Sequence, residues 1–246
     1  MEELIKKVSN AISLILLFAI SAVFYFSAKG FVIENGQIVL KEQIAHADDV
    51  KNGIAVVLPR NININASTKF AYGAPNAPLT LYEYSSFGCP HCADFHLSVL
   101  PKLEKDYLEQ GLLKIVFVSF PLDKKSMKAA MLARCITYDN YNNFIATLFD
   151  HQRSWFLASD DTPLFKYAAE YGLSYDEAQE CVKNDAVASE IIADRQQGIK
   201  QLKMDGTPAF LISGSDGNEI IYGKPRYSEL QEYLDARLAA MNYIRQ

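Results

Sequence analysis

No basic cluster interleaved with aromatic residues occurs in the 246-residue sequence, and the formal net charge is −5. The chain therefore lacks the electrostatic footprint of a nucleic-acid partner. It has no internal repeat and no low-complexity tract, which excludes solenoids and compositionally driven disorder. Cysteine is scarce: there are four, two close together and two far apart. Charged residues make up only 22% and hydrophobic residues 50%, so a packed core is expected. The length suits one large globular domain with an appendage, or two small domains.

What is present begins with a long apolar run. Residues 8–28 contain no charged side chain and are dominated by Ile, Leu, Val and Phe. About 20 such residues suffice for a helix to cross a bilayer. Lys6 and Lys7 precede the run and Lys29 follows it, a bias that places the N-terminus inside and the rest of the chain outside. A cleaved signal peptide is the alternative. Its apolar core is normally shorter, about 7–15 residues, with a small-x-small site close behind; here Phe26 occupies the position that wants a small side chain. An uncleaved anchor over residues 1–29 fits better, and either reading exports the remainder.

Residues 30–70 read as a spacer with some extended structure, including a short strand over 54–58 that stops at Pro59. Asn65-Ala66-Ser67 formally matches a glycosylation acceptor, a triplet common by chance. After a turn-rich stretch at 73–78, residues 79–84 form an expected strand. A helix should start near Cys89, accept Pro90 in its first turn, kink at Pro101 and end at Gly111. Residues 113–120 carry the strongest strand signal. Residues 124–204 then follow helical periodicity, with Ser174 and Glu177 forming a capping box. Strands return at 208–213 and 218–222, joined by a turn at Asp216-Gly217, and an amphipathic helix over 228–243 closes the chain. The order is βαβ, a helical block, then ββα. The expected fold class is α/β, a thioredoxin fold with an inserted all-helical domain, preceded by an N-terminal transmembrane helix. The expected boundaries are 71–122 and 205–246 for the thioredoxin core and 123–204 for the insertion.

The candidate chemistry lies at Cys89-Pro90-His91-Cys92. Two thiols three residues apart at a helix start can close a small disulfide ring. Redox work needs them unequal: the first exposed and ionised, the second more buried. Cys89 at the helix N-terminus would gain from open N–H groups and the macrodipole, and His91 can add a charge or a donor. A stabilised thiolate stabilises the reduced form and makes the disulfide oxidising. Metal binding is the competing reading, because C-x-x-C is half of many zinc sites. His96 could serve as a third ligand, but no second C-x-x-C supplies a fourth, so no metal and no cofactor is expected.

The strand Leu81-Tyr82-Glu83-Tyr84, the Cys89-Pro90-His91-Cys92 motif and the later Gly206-Thr207-Pro208-Ala209-Phe210 resemble the DsbA-type thiol oxidases of bacterial envelopes. The resemblance covers about residues 70–246, and the insertion is similar to the alphaproteobacterial branch. It implies that Cys89 is the nucleophile and Cys92 the resolving thiol, with Pro90 and His91 between them. It also implies a cis Pro208 facing Cys89, and a Thr207 backbone that pairs with an extended substrate segment. Glu83 matches a buried acid expected to relay protons to Cys92; a plain reading of the strand allows an exposed carboxylate instead. His96 and Thr207 depart from the best-known oxidase, which has an acid and a valine there, and both changes bear on redox poise.

Cys135 and Cys181 both fall in the helical block. They are either two buried free thiols or a structural disulfide; export and the family branch favour the disulfide. The resemblance implies unfolded or folding exported proteins as substrates and a membrane quinone-linked thiol oxidase as the reoxidising partner. It places the chain in the bacterial periplasm, tethered to the inner membrane, or secreted there if the leader is cleaved. An isomerase or reductase of the same fold, and a metal-binding thioredoxin-like module, remain as alternatives.

Overall fold

The computed structural model describes residues 31–34, 37–40, 50–51, 55–59, 62 and 71–244. The apolar run at 8–28 and the triplet Asn65-Ala66-Ser67 lie outside these residues. Among the described residues, no helix is long and apolar enough to cross a membrane. The chain divides into two compact units, residues 1–48 and 49–246. The described part of the first is an antiparallel hairpin of β1 (Phe31–Glu34) and β2 (Gln37–Leu40).

The second unit is built on a seven-stranded sheet in the order β3-β4-β9-β8-β6-β7-β5. Its strands are β3 (Val50–Lys51), β4 (Ala55–Leu58), β5 (Tyr72–Gly73), β6 (Leu79–Ser85), β7 (Leu113–Ser119), β8 (Ala209–Gly214) and β9 (Gly217–Tyr222). Interior strand β6 runs parallel to β7 and antiparallel to β8. The parallel pair needs a crossover, and the helical segment between them provides it. Strands β3 and β4 come from the stretch read as a spacer, yet β4 pairs with β9, Val57 opposite Glu219. Side chains alternate across β6. Leu79 and Leu81 pack with Phe95, Leu103, Phe210 and Leu234 on one face. Tyr82 and Tyr84 pack with Val118, Phe120, Met204 and Leu211 on the other.

The helix expected over 89–107 is divided. α1 (Pro90–Ser98) stops at Val99, α2 (Leu100–Leu103) follows, and a π-helical turn covers Glu104–Leu108. The interruption falls ahead of Pro101 because proline lacks the N–H for the i−4 bond and its ring crowds the Leu97 carbonyl. Between β7 and β8 lie α3 (Lys124–Cys135), α4 (Tyr138–Asp150), α5 (Gln152–Phe156), α6 (Thr162–Glu170), α7 (Tyr175–Cys181) and α8 (Asp185–Leu202). The Ser174–Glu177 capping box opens α7. The β8–β9 hairpin closes one residue earlier than the sequence implied: Gly214 pairs with Gly217, so Ser215 and Asp216 form the loop. Arg237, buried on α9 (Tyr227–Ala240), fixes this corner by binding the Asp216 carboxylate, the Ile212 carbonyl and the Gly217 carbonyl.

The insertion has its own core around Phe144, Leu148, Phe149, Trp155 and Leu164. That core extends without a break to Phe87, Cys89 and Cys92, so the insertion walls the end of the sheet where the motif lies. Cys135 and Cys181 form a disulfide between α3 and α7, with Cα atoms 6.4 Å apart.

Candidate active site

The site forms where β6 ends and α1 begins. A tight turn returns the chain, with the Cys89 N–H donating to the Ser86 carbonyl at 3.0 Å. Cys89 is the N-cap of α1, with extended backbone angles (φ −81°, ψ 120°), and Pro90 occupies the first helical position. An N-cap side chain ordinarily accepts hydrogen bonds from the N–H groups two and three residues on. Here those residues are His91 and Cys92, whose N–H groups favour the anion of the Cys89 sulfur, while the thiol itself makes no cap hydrogen bond. The insertion holds the turn from outside. Gln152 Nε2 donates to the Phe87 carbonyl at 2.7 Å and to the Cys89 carbonyl at 3.0 Å. Ser126 Oγ accepts from the Gly88 N–H at 3.1 Å and donates to Asp123 Oδ2 at 2.6 Å. Gly88 is needed because any Cβ there would lie 2.5 Å from both the Phe156 ring and Ser126 Oγ.

The two sulfurs are free thiols and unequal. Cys92 is wholly buried, and Cys89 retains 6% of its surface. The exposure expected of Cys89 is thus reduced to a sliver, because the cis-proline loop and the insertion both close over it. Their electrostatics diverge more than their exposure. The Cys89 thiol is lowered from about 9 to about 5. The hydrogen bond from Cys92 contributes most; Thr207 and the N–H groups of Cys92 and His91 add to it against the opposing effect of burial. The Cys92 thiol is pushed strongly upward, first by burial, then by the adjacent Cys89 and the Glu83 carboxylate.

The Thr207–Pro208 peptide bond is cis and faces this pair. Cys89 Sγ lies 3.4 Å from the Thr207 carbonyl, which accepts from the thiol. The Thr207 hydroxyl is buried with no partner, so it is free to donate once the sulfur ionises. Pro208 is buried, whereas Pro90 and His91 are exposed beside Cys89.

Glu83 is fully buried on β6, which removes the exposed-carboxylate alternative. Its carboxylate meets His96 Nε2 at 2.9 and 3.0 Å. The His96 ring stacks on Phe149 of the insertion, centroids 4.1 Å apart. His96 thus directs Nε2 to Glu83 and does not complete a three-residue metal cluster with the cysteines; among the described residues no such cluster occurs. The structure brings together Glu83, Cys89, Pro90, His91, Cys92, Thr207 and Pro208, and sets the Cys135–Cys181 bridge in the insertion. Ser126 and Gln152 were not anticipated. Each is an isolated polar residue in a helical block, with nothing local to mark it.

Known proteins share this fold. The thioredoxin family model matches residues 65–236. The chain belongs to the thioredoxin family. A protein of Rickettsia prowazekii named as a protein-disulfide oxidoreductase is 25% identical over 193 residues, covering 76% of this chain and 70% of that protein. A Rickettsia typhi protein of the same name is 30% identical over 146 residues, 58% of this chain; the chain spans only 53% of that relative's length. Among solved structures, Wolbachia pipientis alpha-DsbA1 is 29% identical with a TM-score of 0.63, covering 70% of this chain and 91% of that one. BdbD of Bacillus subtilis shares the fold at 22% identity, with a TM-score of 0.60 over 71% of this chain and 96% of that one. The DsbA-type resemblance of the motifs therefore holds for the fold, helical insertion included.

Proposed function

We propose that the chain is a thiol–disulfide oxidase that donates its Cys89–Cys92 disulfide to exported proteins. The observation that carries this reading is Cys89 set at the N-cap position of α1, opposite cis-Pro208, with its thiol lowered to about 5. A thiolate so stabilised makes the dithiol the favoured product, and the disulfide is then a strong donor. A substrate thiolate attacks the Cys89 sulfur, the Cys89–Cys92 bond breaks, and its electron pair leaves on Cys92. A second substrate thiolate then attacks the mixed disulfide and releases Cys89 as a thiolate.

Because Cys92 is buried and its thiol is pushed up, it must take up a proton as it leaves. Glu83, buried on the same side of the sheet and bonded to His96, serves as the proton relay. The exposed His91 and the Thr207 backbone flank Cys89 and receive an extended substrate segment. Cys135–Cys181 is a structural bond outside the redox cycle. The apolar run at 8–28 anchors the chain in the inner membrane with residues 49–246 in the periplasm, and a quinone-linked membrane thiol oxidase restores the disulfide. The same-fold isomerase or reductase needs a dithiol held reduced against its surroundings.

The test uses the oxidised full chain and a reduced two-cysteine peptide at pH 7. One disulfide should transfer per protein, and Cys89→Ser should abolish transfer. Retention of the disulfide by the protein would overturn the reading.

A further inference from the structure

We infer that Ser85 is a catalytic residue of this exchange: its hydroxyl donates a hydrogen bond to the Cys92 sulfur as that sulfur leaves as a thiolate. The inference rests on the proposed redox function and adds a group to it.

The placement follows from two periodicities. Alternation along β6 puts Leu81, Glu83 and Ser85 on one face. That face belongs to α1, because Leu81 packs with Phe95 and Glu83 bonds His96. α1 runs back over the strand, since the turn at residues 86–89 joins the end of β6 to the start of α1. From Glu83 to Ser85 the strand advances about 6.6 Å. From His96 back to Cys92, one helical turn, the helix advances about 6 Å. Ser85 therefore faces Cys92 as Glu83 faces His96.

The chemistry agrees with the geometry. Ser85 is buried, 1% exposed, and its hydroxyl has no hydrogen-bond partner. Its main chain is held in the sheet: it pairs with Ser119 in the β6–β7 ladder and its carbonyl accepts from the Phe120 N–H at 2.7 Å. A buried, unpartnered hydroxyl is costly and calls for an account. Among the influences on Cys92, Ser85 favours the anion, opposing burial and Glu83. The resting protein, with Cys92 as a thiol or in a disulfide, offers little for this donor to hold. The transition state does, because charge develops on the leaving sulfur. A donor aimed only at that charge lowers the barrier without favouring either end state.

The step balances. The substrate thiol releases its proton and attacks Cys89 as a thiolate, the Cys89–Cys92 bond breaks, and the electron pair goes to Cys92 beneath the Ser85 hydroxyl. A proton then converts Cys92 to the thiol. In reoxidation the same thiolate forms again and attacks the Cys89 mixed disulfide.

The experiment compares the full chain with Ser85→Ala and Ser85→Thr. Disulfide reduction by dithiothreitol and reoxidation by oxidised glutathione are timed by acid-quenched thiol alkylation, and the equilibrium potential is measured separately. Ser85→Ala should slow both directions about tenfold, the worth of one hydrogen bond to a charged group, with the potential nearly unchanged and stability equal or higher. Ser85→Thr should restore most of the rate. Rates within twofold of the parent in Ser85→Ala would overturn the assignment, as would a slowing matched by loss of stability. Should the Thr variant fail to fold, the separation of rate from potential in Ser85→Ala decides alone. A parent chain whose Cys89–Cys92 pair never cycles would overturn the functional reading itself.

Discussion

Acidifying the reduced protein should remove a defined part of its stability. The folded Cys89 thiol sits at about 5, against an ordinary value near 9. A group depressed on folding contributes fully above its unfolded value and loses that contribution as pH falls through its folded value. The window is therefore pH 9 down to 5. The linkage relation gives about 2.7 kcal/mol at pH 7, near zero at pH 4 and ~5.4 kcal/mol above pH 9, each an upper figure. Cys92 contributes nothing to this slope below pH 8, since a thiol pushed upward stays protonated folded or unfolded. The assay is urea unfolding of the reduced protein and of reduced Cys89→Ser at pH 4, 5, 6 and 7. The stability gap between them should widen by about 2–3 kcal/mol from pH 4 to pH 7, and thiolate absorbance at 240 nm should titrate with a midpoint near 5. A gap constant with pH, or a midpoint near 8, would refute the stabilised Cys89 thiolate.

Other perturbations test the surroundings of the pair. His96→Leu strands the Glu83 carboxylate in the core and should cost roughly 2–4 kcal/mol; the double variant with Glu83→Gln should recover more than half, as chemical denaturation would report. Gly88→Ala drives a Cβ to 2.5 Å from Phe156 and Ser126 and should cost about 1–3 kcal/mol in strain, visible as a lowered denaturation midpoint. Replacing Cys135 and Cys181 with Ala opens a bridge of sequence separation 46. It should cost about 4 kcal/mol on the chain-entropy account and leave the Cys89–Cys92 exchange rate within twofold.

The strand–turn–helix around Cys89 was legible in the sequence because it is local: apolar alternation, a Gly in the turn and Pro at the first helical position. The Ser174–Glu177 box and the helical periodicity of α3 to α8 were legible for the same reason. The interruption expected at Pro101 falls two residues earlier, at Val99, because proline acts on the carbonyl four residues upstream, so the break precedes the residue that signals it. The β8–β9 loop was displaced by one residue because a long-range partner, Arg237, grips Asp216. The two-residue β5 has no pattern of its own and exists through its pairing with β7. Glu83 was ambiguous because one acid amid Tyr and Leu looks alike buried or exposed; a histidine thirteen residues on decides it. Gln152, Ser126 and Ser85 act across contacts that only the folded chain creates.

Whether the Cys89–Cys92 disulfide is a ready donor is read from the equilibrium reduction potential of that pair against a glutathione series. A donor disulfide should give a value well above the thioredoxin level of about −270 mV. A value at or below that level would mean that the dithiol is the working form, contradicting the oxidase reading and favouring a reductase or isomerase.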